Sequence, residues 1–195
     1  MKRFLSSAVL AVTLLLSQAS SASNPDAAKQ FVDTVATQVL ALVKNDSISQ
    51  ADKQSRIETI FADKVDIPFV AKFVLGKHWR TATPAQQKDY VAAYRPFILK
   101  NYANKLTEYS GQTYGLKNAR VDGDASVVTM EINDPNGQKV NVDYRLKGEG
   151  SFKIVDITVE GVSLLATQRS EFNGIVERKG IDGLIEALKK QVAGK

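Results

Sequence analysis

The sequence predicts an α+β fold, with about six helices packed on a four-stranded antiparallel sheet. Three observations predict it. Between Ala125 and Gly161, apolar and polar residues alternate in three runs separated by short turns, the pattern of antiparallel strands with one apolar face. Helical spacing dominates the chain before and after that stretch. The strands are grouped in the second half and do not alternate with helices, which argues against a parallel sheet.

The N-terminus reads as a leader. Lys2 and Arg3 precede an apolar run, Phe4 to Leu16, that is too short to span a bilayer. Ser20-Ser21-Ala22 fits the small-x-small rule for cleavage, so residues 1–22 read as a secretory signal peptide cleaved near Ala22, and residues 23–195 as a single domain. The expected compartment is a bacterial periplasm. The chain has 195 residues and a formal charge of +5; without Lys2 and Arg3, 24 basic residues face 21 acidic ones. That mildly basic, interspersed charge gives no electrostatic footprint for nucleic acid. There is no cysteine, hence no disulfide, no lipid-anchored cysteine and no His/Cys zinc site.

Each element has its own signal. Asn24-Pro25 caps a first helix whose stripe is Phe31, Val32, Val35, Val39, Leu42 and Val43. After a loop from Asn45 to Ser49, a second helix carries Ile57, Ile60 and Phe61. Asp66-Ile67-Pro68 starts a third, with Phe69, Val70, Phe73 and Val74 on one side and Gly76 as its stop. Thr83-Pro84-Ala85-Gln86 is a capping box that opens a long helix striped with Tyr90, Tyr94, Phe97, Ile98, Tyr102 and Leu106. Pro96 inside it predicts a kink, because the carbonyl of Ala92 loses its partner. Tyr114 to Val121 reads as an edge strand, followed by the three alternating runs. In the last of these the phase slips at Ile154-Val155, which predicts a bulge or a strand buried on both faces. A helix from about Leu164 to Arg178, closed by Gly180, and another capped by Asp182 complete the chain.

The inventory of reactive groups is thin. His78 is the only histidine. It follows a helix end, where Lys77 and His78 are expected to meet the last carbonyls, and this reading is preferred to a catalytic one. A Ser-His-Asp triad would need His78, and no Gly-x-Ser-x-Gly elbow is present. Gly148-Glu149-Gly150 reads as a hairpin turn, lacking the strand and helix that flank a phosphate loop. Asp143 and Asp156 are expected to point away from the apolar face. What stands out is a surplus of aromatic residues on two consecutive helices, and periodicity does not separate a filled core from an apolar cavity.

Longer motifs carry a resemblance. Leu75 to Leu106, LGKHWRTATPAQQKDYVAAYRPFILKNYANKL, and Lys153 to Phe172, KIVDITVEGVSLLATQRSEF, together resemble the MlaC or toluene-tolerance family of periplasmic phospholipid-binding proteins. The Gly180-to-Leu188 tail, Gly-x-x-x-Leu-Ile-x-x-Leu, matches as well, and Pro96 departs from the family pattern. The resemblance implies an NTF2-like cone in which sheet and helices enclose a deep apolar pocket for acyl chains. It implies a carrier with phospholipid as cargo and no cofactor, metal or catalytic residue. Its partners would be an inner-membrane ABC transporter bearing MCE domains and an outer-membrane lipoprotein–porin complex, and a monomer is expected. The candidate lipid-contacting residues are Phe69, Phe73, Val74, Trp79, Tyr94, Phe97, Ile98 and Tyr102 from the helices. The sheet adds Met130, Ile132, Val142, Tyr144, Val155 and Ile157. Other readings stay open: a hopanoid carrier of the same family, an NTF2-like enzyme with a carboxylate in the pocket, or an adaptor with a solid interior.

Overall fold

Five strands pair in sequence order as one antiparallel meander in the computed structural model, which describes residues 24–108, 111–148 and 150–194. The leader read from the sequence lies outside the described residues. The strands are β1 (Thr113–Asp122), β2 (Ala125–Asn133), β3 (Lys139–Lys147), β4 (Lys153–Val159) and β5 (Val162–Ser163). The first four are those expected. The fifth is two residues long, too short for alternation to reveal, and follows a turn in which Glu160 and Gly161 both adopt positive φ.

Register explains the two faces. Met130 stands opposite Val142, Val128 opposite Tyr144, and Ser126 opposite Leu146, so the even positions of β2 and β3 share the apolar face. Between β3 and β4 the pairing jumps from Arg145–Asp156 to Leu146–Ile154, leaving Val155 as the extra residue of a bulge. Ile154 and Val155 are consequently both buried, as the phase slip predicts. The opposite face is laced with ion pairs: Arg120–Asp143 at 3.2 Å, Arg145–Asp122 at 2.6 Å, and Glu131 between Lys117 and Lys139. Asp143 lies on that outer face, as expected.

The helical runs are α1 (Pro25–Val43), α2 (Gln50–Lys64), α3 (Ile67–Leu75), α4 (Pro84–Thr107) and α5 (Leu164–Ala193), with a 3-10 turn over Gly76–Arg80. Asn24 caps α1 through the amides of Asp26 and Ala27, Ser49 caps α2, and Asp66 caps α3. At α4 the Thr83–Gln86 capping box is complete. The helix continues through Pro96, where the carbonyl left without a donor belongs to Ala92, an exposed residue that water can reach. The sixth expected helix is the second half of α5, which breaks at Gly180 with φ 70° and ψ 177°. Asp182 does not cap it; its carboxylate receives the side-chain amide of Gln86 at 3.1 and 3.2 Å.

Two apolar layers result. One places α1 across the sheet, with Ala28 and Val32 against Val128, Met130, Leu146 and Ile154. The other is helical, with Val70, Val74, Tyr90, Tyr94, Phe97 and Phe172 joining α3, α4 and α5. The aromatic stripe of α4 therefore meets α3 and α5 through Tyr90, Tyr94 and Phe97, and α2 and β4 through Tyr102, while the central strands of the sheet are covered by α1.

Candidate functional site

The two layers leave space where they meet, along β4. A small cavity of about 20 Å³, roughly the room of one water, is walled by Phe61, Val65, Val70, Leu99, Leu165 and the β4 residues Ile154 to Ile157, with Ile98 and Tyr102 closing it. A larger cavity of about 380 Å³ lies between α4 and the two arms of α5. Its floor is apolar, formed by Phe97, Phe172, Ile175, Leu184 and Leu188, and its rim is polar, with Asn101, Lys105, Gln168 and Glu171. Ile98 and Tyr102 line both spaces, so these two side chains are the partition between them.

Local chemistry holds this partition. Tyr102 stacks on Phe61 with ring centroids 5.7 Å apart. Burial, with a smaller contribution from the Asp156 charge, pushes its phenol up to about 12. Tyr94 donates to Gln168 Oε1 at 2.5 Å, and burial, reinforced by Tyr90 and Tyr102, raises its phenol well above the ordinary value. Both phenols stay neutral across ordinary pH. Asp156 also borders the small cavity, contrary to the expectation that it points away. Its carboxylate is already engaged, accepting the Ser163 hydroxyl at 2.7 Å and the Ile157 amide at 2.7 Å, with Leu165 N at 3.4 Å. These bonds fasten the β4–α5 corner.

The candidate residues divide into four groups. Phe97, Ile98, Tyr102, Val155 and Ile157 line the two cavities. Val74 and Tyr94 are buried behind them in the helical layer, and Trp79 packs half-buried at its edge. Met130, Ile132 and Tyr144 lie under α1 on the sheet face, and Val142 is buried on that face opposite Met130 and Val159. Phe69 and Phe73 line neither cavity; they sit on the outer side of α3, 36% and 40% exposed. Sequence reasoning did not assign Phe61, Leu99, Leu165 or Phe172 to a site. All but Leu99 carry the signal of an inward apolar position, which does not separate core from cavity wall.

His78 is tied across the molecule and not to its own helix end. Its Nε2 lies 2.8 Å from Asn173 Oδ1, while Lys77 pairs with Glu177 at 3.0 Å, so both residues anchor the 3-10 turn to α5. Among the described residues no group of three or more His, Asp or Glu side chains could hold a metal ion, and no helix is long and apolar enough to cross a membrane.

Comparison with known proteins places this architecture. Residues 17–190 match the family described as MlaC protein. The intermembrane phospholipid transport system binding protein MlaC of Haemophilus influenzae is 24% identical over 135 residues, 66% of this chain and 63% of that protein. The toluene tolerance protein ttg2D of Pseudomonas putida is 27% identical over 142 residues, 70% of this chain and 66% of that protein. Each alignment thus spans just under two thirds of the relative's length. The phospholipid-binding protein from Ralstonia solanacearum, solved in complex with a phospholipid at 1.53 Å, superposes with a TM-score of 0.72 at 26% identity. That superposition covers 86% of this chain and 97% of the other. With the family match running over nearly its whole length and a solved relative of the same fold, this chain belongs to the MlaC family.

Proposed function

We propose that the protein is a periplasmic phospholipid carrier that shields acyl chains in the space between α4, α5 and β4. The observation that carries this reading is the pair of adjoining cavities with apolar floors, which share Ile98 and Tyr102 in their walls, in a fold whose solved relative holds a phospholipid. Each methylene kept from water is worth ~0.8 kcal/mol, so an uncovered diacyl lipid does not cross an aqueous gap at a useful rate. Bilayer and cavity are both apolar, so exchange between them is nearly balanced and needs no catalytic step. Acyl chains fill the floor lined by Phe97, Ile98, Tyr102, Val155 and Ile157, and the polar rim at Asn101, Lys105, Gln168 and Glu171 receives the headgroup. Transfer between the outer and inner membranes, with a lipoprotein–porin complex at one end and an MCE-domain transporter at the other, completes the proposal; the names of the relatives support it.

The test is native mass spectrometry of the exported, purified protein, in which co-purified phospholipid is expected. Ile98→Trp should yield a folded protein with little or no lipid, because the indole occupies the partition. A wild-type protein free of lipid, or an Ile98→Trp variant that keeps its full load, would count against the reading.

Asp156 supports a second reading, an enzyme of the same fold, because it is a carboxylate at the wall of the smaller cavity. Its hydrogen bonds favour a structural role. Asp156→Asn is therefore expected to lower stability while leaving the lipid load in place; loss of function with folding intact would favour the enzyme.

A further inference from the structure

The short helix α3 has two apolar sides. Its inner side, through Ile67 and Val70, walls the smaller cavity. Its outer side presents Phe69 and Phe73, stacked with ring centroids 6.4 Å apart. Among the described residues only Val121 and Val162 are comparable large apolar side chains in the open. A cation covers each ring. Lys147 Nζ, from β3, lies 5.0 Å from the Phe69 centroid, and the Arg169 guanidinium, from α5, lies 5.3 Å from that of Phe73. Lys72, between the two phenylalanines, sits 6.0 Å from the half-buried ring of Trp79. From Ile67 to Lys88 the chain carries Lys72, Lys77, Arg80 and Lys88 and no carboxylate. Lys147 is shared with Asp124 and Lys77 with Glu177, whereas Lys72, Arg80 and Arg169 have no carboxylate partner among the described residues.

We infer that the outer face of α3 and the 3-10 turn that follows it dock the protein on an anionic phospholipid bilayer. Aromatic rings flanked by lysine and arginine suit the boundary between headgroup and acyl chain: the rings enter the apolar edge while the cations stay at the phosphates. Each cation near an anionic surface contributes an attraction that falls away within a Debye length. A helix resting on the bilayer by one side and walling a cavity by the other also brings that cavity to the surface. This inference goes beyond the carrier reading, since a protein docked in this way need not hold lipid.

Sedimentation of the exported, purified protein with vesicles tests it, using phosphatidylcholine alone and a three-to-one mixture with phosphatidylglycerol. Binding is expected to the anionic vesicles, with loss on raising salt. Phe69→Ser combined with Phe73→Ser should weaken it about tenfold or more, and Lys72→Glu severalfold. Circular dichroism checks that each variant folds; if the double variant does not, Lys72→Glu decides the matter. The inference is overturned if the wild type ignores anionic vesicles, or if the folded variants bind as it does. Loss of lipid transfer without vesicle binding would also overturn it and assign the face to a protein partner. Lipid content of the same preparation is measured separately: an empty protein that still binds vesicles counts against the carrier and not against the docking face.

Discussion

Ser126 is 1% exposed, and its hydroxyl has no hydrogen-bond partner. It stands on the apolar face of β2 opposite Leu146, where a hydroxyl loses its water without compensation. Ser126→Ala removes that penalty, so denaturant unfolding should show stability unchanged or raised by up to ~1 kcal/mol. His78 is the opposite case, because its one side-chain bond spans two elements. His78→Ala should lower stability by ~1 kcal/mol through the lost bond to Asn173 and leave the lipid load intact. A loss of lipid without loss of stability would place the imidazole at the site after all. A non-catalytic His78 is expected from its place after a helix end, but its bond to Asn173 and the isolation of the Ser126 hydroxyl are set by packing and are not written in local sequence.

At the scale of elements, Gly180 is the sharpest constraint. Its φ of 70° with ψ of 177° is open to glycine and strained for other residues, while a Cβ there would meet nothing within 4 Å. Gly180→Ala therefore isolates backbone strain, and a loss of ~1–3 kcal/mol is expected on unfolding, with no steric contribution. This break was legible, as were the caps at Asn24, Asp66 and Thr83 and the bulge at Val155, because each is written in a few adjacent residues. The choice of cover for each face was not. Met130 and Tyr144 announce a buried face, but alternation does not say that α1, about a hundred residues upstream, would lie on it. The outward turn of Phe69 and Phe73 escaped for a related reason. Lys72 is the single polar residue of α3 and marks its outer side, with Ile67, Val70, Ala71 and Val74 inward, but as a sequence signal the size of the two phenylalanines outweighs that one lysine.

For the whole molecule, ion pairs frame the response to acid. Asp63, Asp122, Asp124, Glu131 and Glu177 are all held below their ordinary values, each first by a hydrogen bond from a neighbouring Lys or Arg: Lys64, Arg145, Lys147, Lys117 and Lys77 respectively. A carboxylate depressed on folding adds stability above its unfolded value, near 3.8 for Asp and 4.5 for Glu, and the gain disappears as pH falls through the lower folded value. Stability should thus be flat from neutral pH down to about pH 5 and decline below about pH 4. Asp63, Asp122, Asp124 and Glu177 are solvent-exposed and Glu131 is partly covered between its two lysines, so each share is small and salt should flatten the decline. Urea unfolding across pH, with Asp122→Asn and Asp124→Asn reducing the slope, checks this. The larger cavity adds a mechanical property. Its walls are the two arms of one bent helix, and the arm beyond Gly180, residues 181–193, is ~20 Å long at 1.5 Å per residue. On a lever of that length, a rotation of only about 5° at the glycine carries the far end through ~2 Å. The gap between Ile175 and Leu188 then works like the jaws of a caliper, set by whatever thickness of chain lies between them.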